Sequence, residues 1–138
     1  MSDATYEVTA SAGRLRPAPG VGVAMPHRWS ADGVVVEAEF TGAHLYLLAA
    51  AGCVLNDVYR EAERMRIPID GVRVRATGGF DAGTWVSTGI EYRVDVASEA
   101  GDAEVEDLLR VVDDVAEMPR ALRAGATVAR RPGVDPEP

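Results

Sequence analysis

One long stretch, residues 41–68 (TGAHLYLLAAAGCVLNDVYREAERMRIP), constrains the fold more than any other part of the chain. Its residues are mostly good helix formers, Thr41 suits the N-cap position, and Pro68 disfavours helical backbone just before it. The segment Leu45–Leu55 is apolar on nearly every side, whereas the residues that follow it are largely charged. A helix that is apolar all round is buried on every side. We therefore predict a central buried helix over Leu45–Arg66 that emerges into water in its second half.

Strand patterns lie on both sides of this helix. Before it, runs of β-forming residues predict strands at Thr5–Thr9, Val21–Trp29 and Val34–Phe40. After it, apolar and arginine residues alternate over residues 72–75, and a longer alternating run covers Thr84–Ala97. Alternation with a period of two is typical of half-buried strands.

The C-terminal third of the chain predicts two helices and a last strand. Apolar residues at helical spacing predict a second helix over Ala103–Ala116, and a short third helix runs from Pro119 to its C-terminal cap at Gly125. Ala126–Arg130 is predicted to form a final short strand, and residues 131–138 a frayed, proline-rich tail. We therefore predict that residues 1–138 form one α+β domain. Its elements in chain order are three strands, a long helix, two strands, two helices and a final strand.

The charge of the chain bears on its partners. The formal net charge is -8, and all 14 basic residues are arginine. An acidic surface repels phosphate backbones, so we expect no nucleic-acid partner. The absence of lysine excludes Schiff-base chemistry.

The cysteine content bears on location. A chain with one cysteine forms no internal disulfide, which fits the reducing cytoplasm. The N-terminus shows no signal segment, and the apolar run Leu45–Leu55 is too short to span a bilayer. We therefore predict a cytoplasmic protein with no membrane partner.

No cofactor or metal motif is evident in the sequence. His27 and His44 are seventeen residues apart, and no H-x-x-x-H pattern is present. The glycines of residues 77–83 resemble a hairpin loop, because no helix follows them to bind a phosphate. We expect neither a metal nor a cofactor.

Four motifs together resemble the OsmC/Ohr family of osmotically inducible and organic-hydroperoxide-resistance proteins. These motifs are VTASAGR at 8–14, LLAAAGC at 47–53, IPIDGVRV at 67–74 and VVDDVAEMPRALRAGATV at 111–128. The resemblance rests on their order and spacing and covers about residues 5–130. It implies an intertwined homodimer with an active site at each subunit interface.

The resemblance also implies which residues form the site. The reactive cysteine of the family falls on Cys53 and its arginine on Arg14. The second, resolving cysteine falls on Met118, and the family's glutamate falls on Ala43, with His44 beside it. Two of the four expected groups are therefore replaced, and His44, Met118 and Ala43 become candidate pocket residues.

The family's chemistry requires a thiolate at Cys53, because the thiolate is the nucleophile that attacks the O–O bond. A guanidinium such as that of Arg14 lowers a nearby thiol pKa. The product is a sulfenic acid. Met118 is a thioether and forms no disulfide, so an external thiol would have to restore the cysteine.

Two interpretations stay open from the sequence. In the first, the protein is a single-cysteine, thiol-dependent peroxidase that reduces organic hydroperoxides. In the second, Cys53 is an ordinary buried core residue, Arg14 is a solvated loop residue, and His44 lies at a surface or interface. The same fold would then bind a small apolar ligand at the dimer interface, which the apolar replacements Ala43 and Met118 favour.

Overall fold

The computed structural model describes residues 4–133. They form one five-stranded antiparallel sheet and three helices, which confirms the predicted α+β class. The strands are β1 (Ala4–Gly13), β2 (Val23–Met25), β3 (Val34–Glu37), β4 (Gly71–Phe80) and β5 (Ser87–Ala97). The helices are α1 (Gly42–Met65), α2 (Asp102–Val115) and α3 (Glu117–Ala124).

The sheet has the strand order β2-β3-β1-β4-β5. Helix α1 packs against two adjacent strands of this sheet, β1 and β4. One face of β1 turns Val8, Ala10 and Ala12 toward the helix, as the two-residue period of a strand requires. The opposing helix residues Leu47 and Val54 are fully buried. Helices α2 and α3 pack on α1 beside the sheet, so α1 holds every part of the core together.

Helix α1 begins directly after the predicted N-cap Thr41, three residues before the predicted start at Leu45, and ends one residue before the predicted end at Arg66. The Thr41 side chain accepts a hydrogen bond from the His44 backbone N–H at 3.2 Å, which satisfies a free donor of the first turn. Arg66 adopts left-handed backbone (φ 60°) and returns its N–H to the carbonyl of Glu63 at 3.2 Å. These caps enclose the 24-residue helix that carries Cys53.

The prediction that α1 is buried on every side is wrong for the single chain. One stripe of the helix, called here the open stripe, is left partly exposed, and Leu45 at its start is 41% exposed. The open stripe consists of Leu45, Leu48, Ala49, Gly52 and Asn56. The sheet, α2 and α3 cover the other sides, and on this one the loop after β2 reaches only the far end, where His27 Nε2 lies 2.9 Å from Asn56 Oδ1.

The predicted final strand, Ala126–Arg130, is also wrong. The segment follows α3 as extended, fully exposed chain and joins no strand of the sheet among residues 4–133. Backbone in a strand needs a hydrogen-bonding neighbour, and this segment has none there to pair with. The predicted tail 131–138 lies outside the described residues from 134 onward.

Strand ends differ from the predictions where proline or a turn intervenes. The strand predicted at Val21–Trp29 is limited to three residues, because Pro26 removes a backbone donor directly after Met25. Conversely, β1 continues four residues beyond the predicted boundary at Thr9 and pairs with β4 as far as Gly13. None of the described helices is long and apolar enough to cross a membrane.

Candidate functional site

Cys53 lies half-buried on α1, against the first turn of α3. Its sulfur accepts the Met118 backbone N–H at a distance of 3.4 Å. Ala116, the N-cap residue of α3, makes no side-chain capping bond. The Cys53 sulfur therefore satisfies a donor at the helix N-terminus, an environment that favours negative charge.

A carboxylate lies on the other side of the sulfur. Asp57 follows Cys53 by one helical turn, and the thiol donates to Asp57 Oδ2 at 3.8 Å. The Asp57 side chain is only 3% exposed, and its other oxygen, Oδ1, contacts Arg60 Nη2 at 2.7 Å. Arg60 also reaches Glu117 at 3.7 Å, which links this cluster to the start of α3.

These surroundings keep the thiol protonated in a single chain. Burial raises the pKa of Cys53 above its ordinary value, the Met118 N–H lowers it, and the charge of Asp57 raises it again. Burial likewise raises the pKa of Asp57, while the Arg60 guanidinium opposes that shift. The site of the single chain thus contains a protonated thiol beside a carboxylate whose pKa is raised.

Arg14 is exposed and lies away from Cys53 in the same chain. Its backbone N–H donates to the Asp70 carbonyl at 2.7 Å, just beyond the C-terminal end of α1. Strand β1 runs alongside α1 from Tyr6, which contacts His44, toward that end. At about 3.3 Å per strand residue and 1.5 Å per helix residue, Arg14 lies roughly 13 Å further along than Cys53.

The remaining predicted residues are divided between two places. Met118 is at Cys53, but the contact is made by its backbone, and its side chain is partly exposed. His44 is buried at the N-terminus of α1, where its Nδ1 lies 2.6 Å from Thr41 Oγ1 and its ring packs edge-on against Tyr6. Ala43 is its half-buried neighbour. His44 and Ala43 are about 14 Å before Cys53 along the helix.

A cavity of about 280 Å³ lies beside this site, between α1, β5 and α3. Its apolar walls are Tyr46, Ala50, Ile90, Tyr92, Pro119 and Leu122. Ala50 lies one turn before Cys53, and Pro119 directly follows Met118, so the cavity lies near Cys53 on two of its three walls. Arg123 lies at its edge, paired with Asp113 at 3.4 Å.

Sequence reasoning missed Asp57, Arg60 and the cavity. The spacing Cys53, Asp57, Arg60 places three side chains on adjoining turns of one helix, and this signal was available before the fold was known. The cavity gave no such signal, because its walls come from three separate elements. Within residues 4–133, no group of three His, Cys, Asp or Glu side chains could hold a metal ion.

Comparisons with known proteins agree with this architecture. The sequence model of the OsmC family, described as OsmC-like protein, matches residues 34–130. No curated protein matches the sequence.

Two solved structures have the same fold. An OsmC-like hydroperoxide resistance protein from Jannaschia sp. CCS1 superposes with a TM-score of 0.59 at 16% identity, covering 94% of each chain. An OsmC-like protein from Mycoplasma pneumoniae gives a TM-score of 0.57 at 17% identity, covering 68% of this chain and 75% of its own. The resemblance drawn from the four sequence motifs is thereby confirmed, and the chain belongs to the OsmC-like family.

Proposed function

We propose that this protein is a homodimeric, single-cysteine peroxidase that reduces organic hydroperoxides through Cys53. The observation that carries the proposal is the sulfur itself. It is half-buried and accepts the Met118 N–H at the start of α3, and Ala50, one turn before Cys53, and Pro119, directly after Met118, line an apolar cavity. The similarity to a protein described as a hydroperoxide resistance protein supports the same reaction.

The reaction follows from the chemistry of a thiolate. The Cys53 sulfur attacks the outer oxygen of the hydroperoxide, the S–O bond forms, the O–O bond breaks, and the alkoxide leaves as an alcohol after taking a proton. The sulfenic acid then reacts with an external thiol, releasing water and forming a mixed disulfide. A second thiol molecule attacks that disulfide and frees Cys53.

Dimerisation would complete the site. The open stripe of α1 is largely apolar and partly exposed, so a second copy covering it would bury that apolar surface. Arg14 of one chain is too far from its own Cys53, and we propose that Arg14 of the partner subunit supplies the cation. A chain with a single cysteine is suited to the cytoplasm, where external thiols are abundant.

A second function, binding of a small apolar ligand, is favoured by two observations. The 280 Å³ cavity is large enough for a small organic molecule. The raised pKa of Cys53 and the lack of any arginine contact to its sulfur among residues 4–133 suit an unreactive thiol.

Intact-mass analysis after treatment with cumene hydroperoxide separates the two functions. Without added thiol, we expect the wild type to gain one oxygen atom at Cys53 and then a second, whereas added thiol should return the one-oxygen form to the starting mass. Cys53→Ser retains all four methionines, so it controls for methionine oxidation. If the masses of both proteins respond identically to excess hydroperoxide, the peroxidase is rejected and only ligand binding stands.

A further inference from the structure

The two oxygens of Asp57 face different groups. Oδ1 lies 2.7 Å from the Arg60 guanidinium, and Oδ2 lies 3.8 Å from the Cys53 sulfur. The carboxylate is almost completely buried, although Arg60 is 42% exposed. Burying a carboxylate has a large desolvation cost that one partly exposed partner does not fully offset. Because Asp57 Oδ2 contacts the sulfur, this buried carboxylate is placed where it can exchange a proton with Cys53.

Resting on the peroxidase function proposed above, we infer that Asp57 is the proton carrier of Cys53. It accepts the thiol proton as the sulfur attacks, and it returns that proton to the departing alkoxide. Arg60 is a positioning residue, since it touches the carboxylate and not the sulfur. The family resemblance assigns the role of proton carrier to none of the site residues.

The need for a proton carrier follows from the protonation state of the site. In the single chain, burial and the neighbouring negative charge favour the thiol form of Cys53, so a group near the sulfur is needed to accept its proton. An alkoxide is a poor leaving group unless it is protonated. A buried carboxylate within reach of the sulfur can serve both steps, and its raised pKa makes it a stronger base than an exposed aspartate.

The step balances without a further reactant. The S–H proton moves to Asp57 Oδ2, and the sulfur forms a bond to the outer peroxide oxygen while the O–O bond breaks. The sulfur is oxidised by two electrons and the peroxide is reduced by two. The alkoxide takes the proton from Asp57, which leaves a sulfenic acid, an alcohol and the original carboxylate. The charged groups around this step are Arg60, Glu61 and Glu117.

Two electrophiles that differ in their leaving group test the inference. Cumene hydroperoxide releases an alkoxide that needs a proton, whereas iodoacetamide releases iodide, which needs none. For Asp57→Asn we expect the hydroperoxide rate to fall about 100-fold, a typical loss for one acid–base group. Alkylation at the same pH should stay equal or become faster, because removal of a negative charge lowers the thiol pKa.

Glu61→Gln is the matched control, because Glu61 is a buried carboxylate on the same helix that pairs with Arg64 and does not contact Cys53. The charge of Glu61 is the weakest influence on the pKa of Asp57, so we expect both rates to change far less than in Asp57→Asn. Two faster rates in Asp57→Asn would show that the charge only opposes the thiolate, and two equally slower rates would show a structural role. Either result overturns the inference while leaving the peroxidase function intact.

A measurement on the wild type keeps the test valid if Asp57→Asn does not fold. Transfer of the carried proton in the slow step predicts that D₂O, at matched pD, slows hydroperoxide reduction more than it slows alkylation. Equal solvent effects on the two reactions would refute the proton carrier. A wild type that does not react with hydroperoxide at all would instead reject the peroxidase, and this inference with it.

Discussion

Gly52→Ala tests whether the open stripe of α1 is the contact between two copies of the chain. In the single chain, a Cβ added at Gly52 meets nothing within 4 Å. Glycine inside a helix costs about 1 kcal/mol relative to alanine, so the substitution should stabilise an isolated chain by that amount. In a dimer whose helices approach at Gly52, the added methyl would instead be overpacked, at about 1–3 kcal/mol per site.

A symmetric dimer contains the substitution twice, so the association free energy should weaken by about 2–6 kcal/mol. The helix-propensity gain is present in monomer and dimer alike and cancels from this difference. A loss of about 2 kcal/mol already corresponds to a roughly 30-fold rise in the dimer Kd. We therefore expect sedimentation velocity over a dilution series to show Gly52→Ala dissociating at a concentration at least that much higher than the wild type.

Gly42→Ala is the control, because Gly42 is the exposed first residue of the same helix and an added Cβ is equally free there. It should not change the association constant. The reasoning is refuted if Gly52→Ala has unchanged association and is more stable by about 1 kcal/mol in urea unfolding. Gly52 would then face solvent, and the dimer, if formed, would use another surface.

Three further predictions concern the core, the arginine and alkaline pH. Ser11→Ala should raise the free energy of unfolding in urea by about 1 kcal/mol, because the buried Ser11 Oγ has no hydrogen-bond partner among residues 4–133; a loss of stability would contradict this. Arg14→Met should slow alkylation of Cys53 by iodoacetamide at neutral pH more than Arg16→Met does, since only Arg14 is proposed to face the thiol across the dimer; equal rates for both variants and the wild type would remove Arg14 from the site. Burial and the hydrogen bond that Tyr92 donates to Asp113 raise the pKa of Tyr92 above its ordinary value near 10. The unfolded chain then loses the Tyr92 proton before the folded chain does, so stability present below about pH 10 falls as the pH rises further. Tyr92→Phe should reduce that slope in urea midpoints, and an unchanged slope would show that Tyr92 does not contribute to it.

Much of the fold could be predicted from local patterns. The N-cap Thr41, the apolar run after Leu45, the stop before Pro68 and the alternation in β5 are properties of neighbouring residues, so they identify α1 and the strands without tertiary information. Cys53 could also be selected, because it is the only thiol and lies in a family motif. The same local patterns failed at 126–130, because a strand exists only if another strand is available to pair with it.

The chemistry at the sulfur was decided by the tertiary structure. Met118 is 65 residues from Cys53, and only the docking of α3 on α1 brings its N–H to the sulfur. Arg14 matches a family motif, yet the parallel course of β1 and α1 places it away from the cysteine of its own chain. Periodicity shows which side of a helix is apolar, but it does not show what covers that side. For this reason the sequence determined that the only thiol of the chain lies on α1 one turn before Asp57, whereas only the tertiary structure brought the start of α3 to the sulfur and left one stripe of the helix partly exposed.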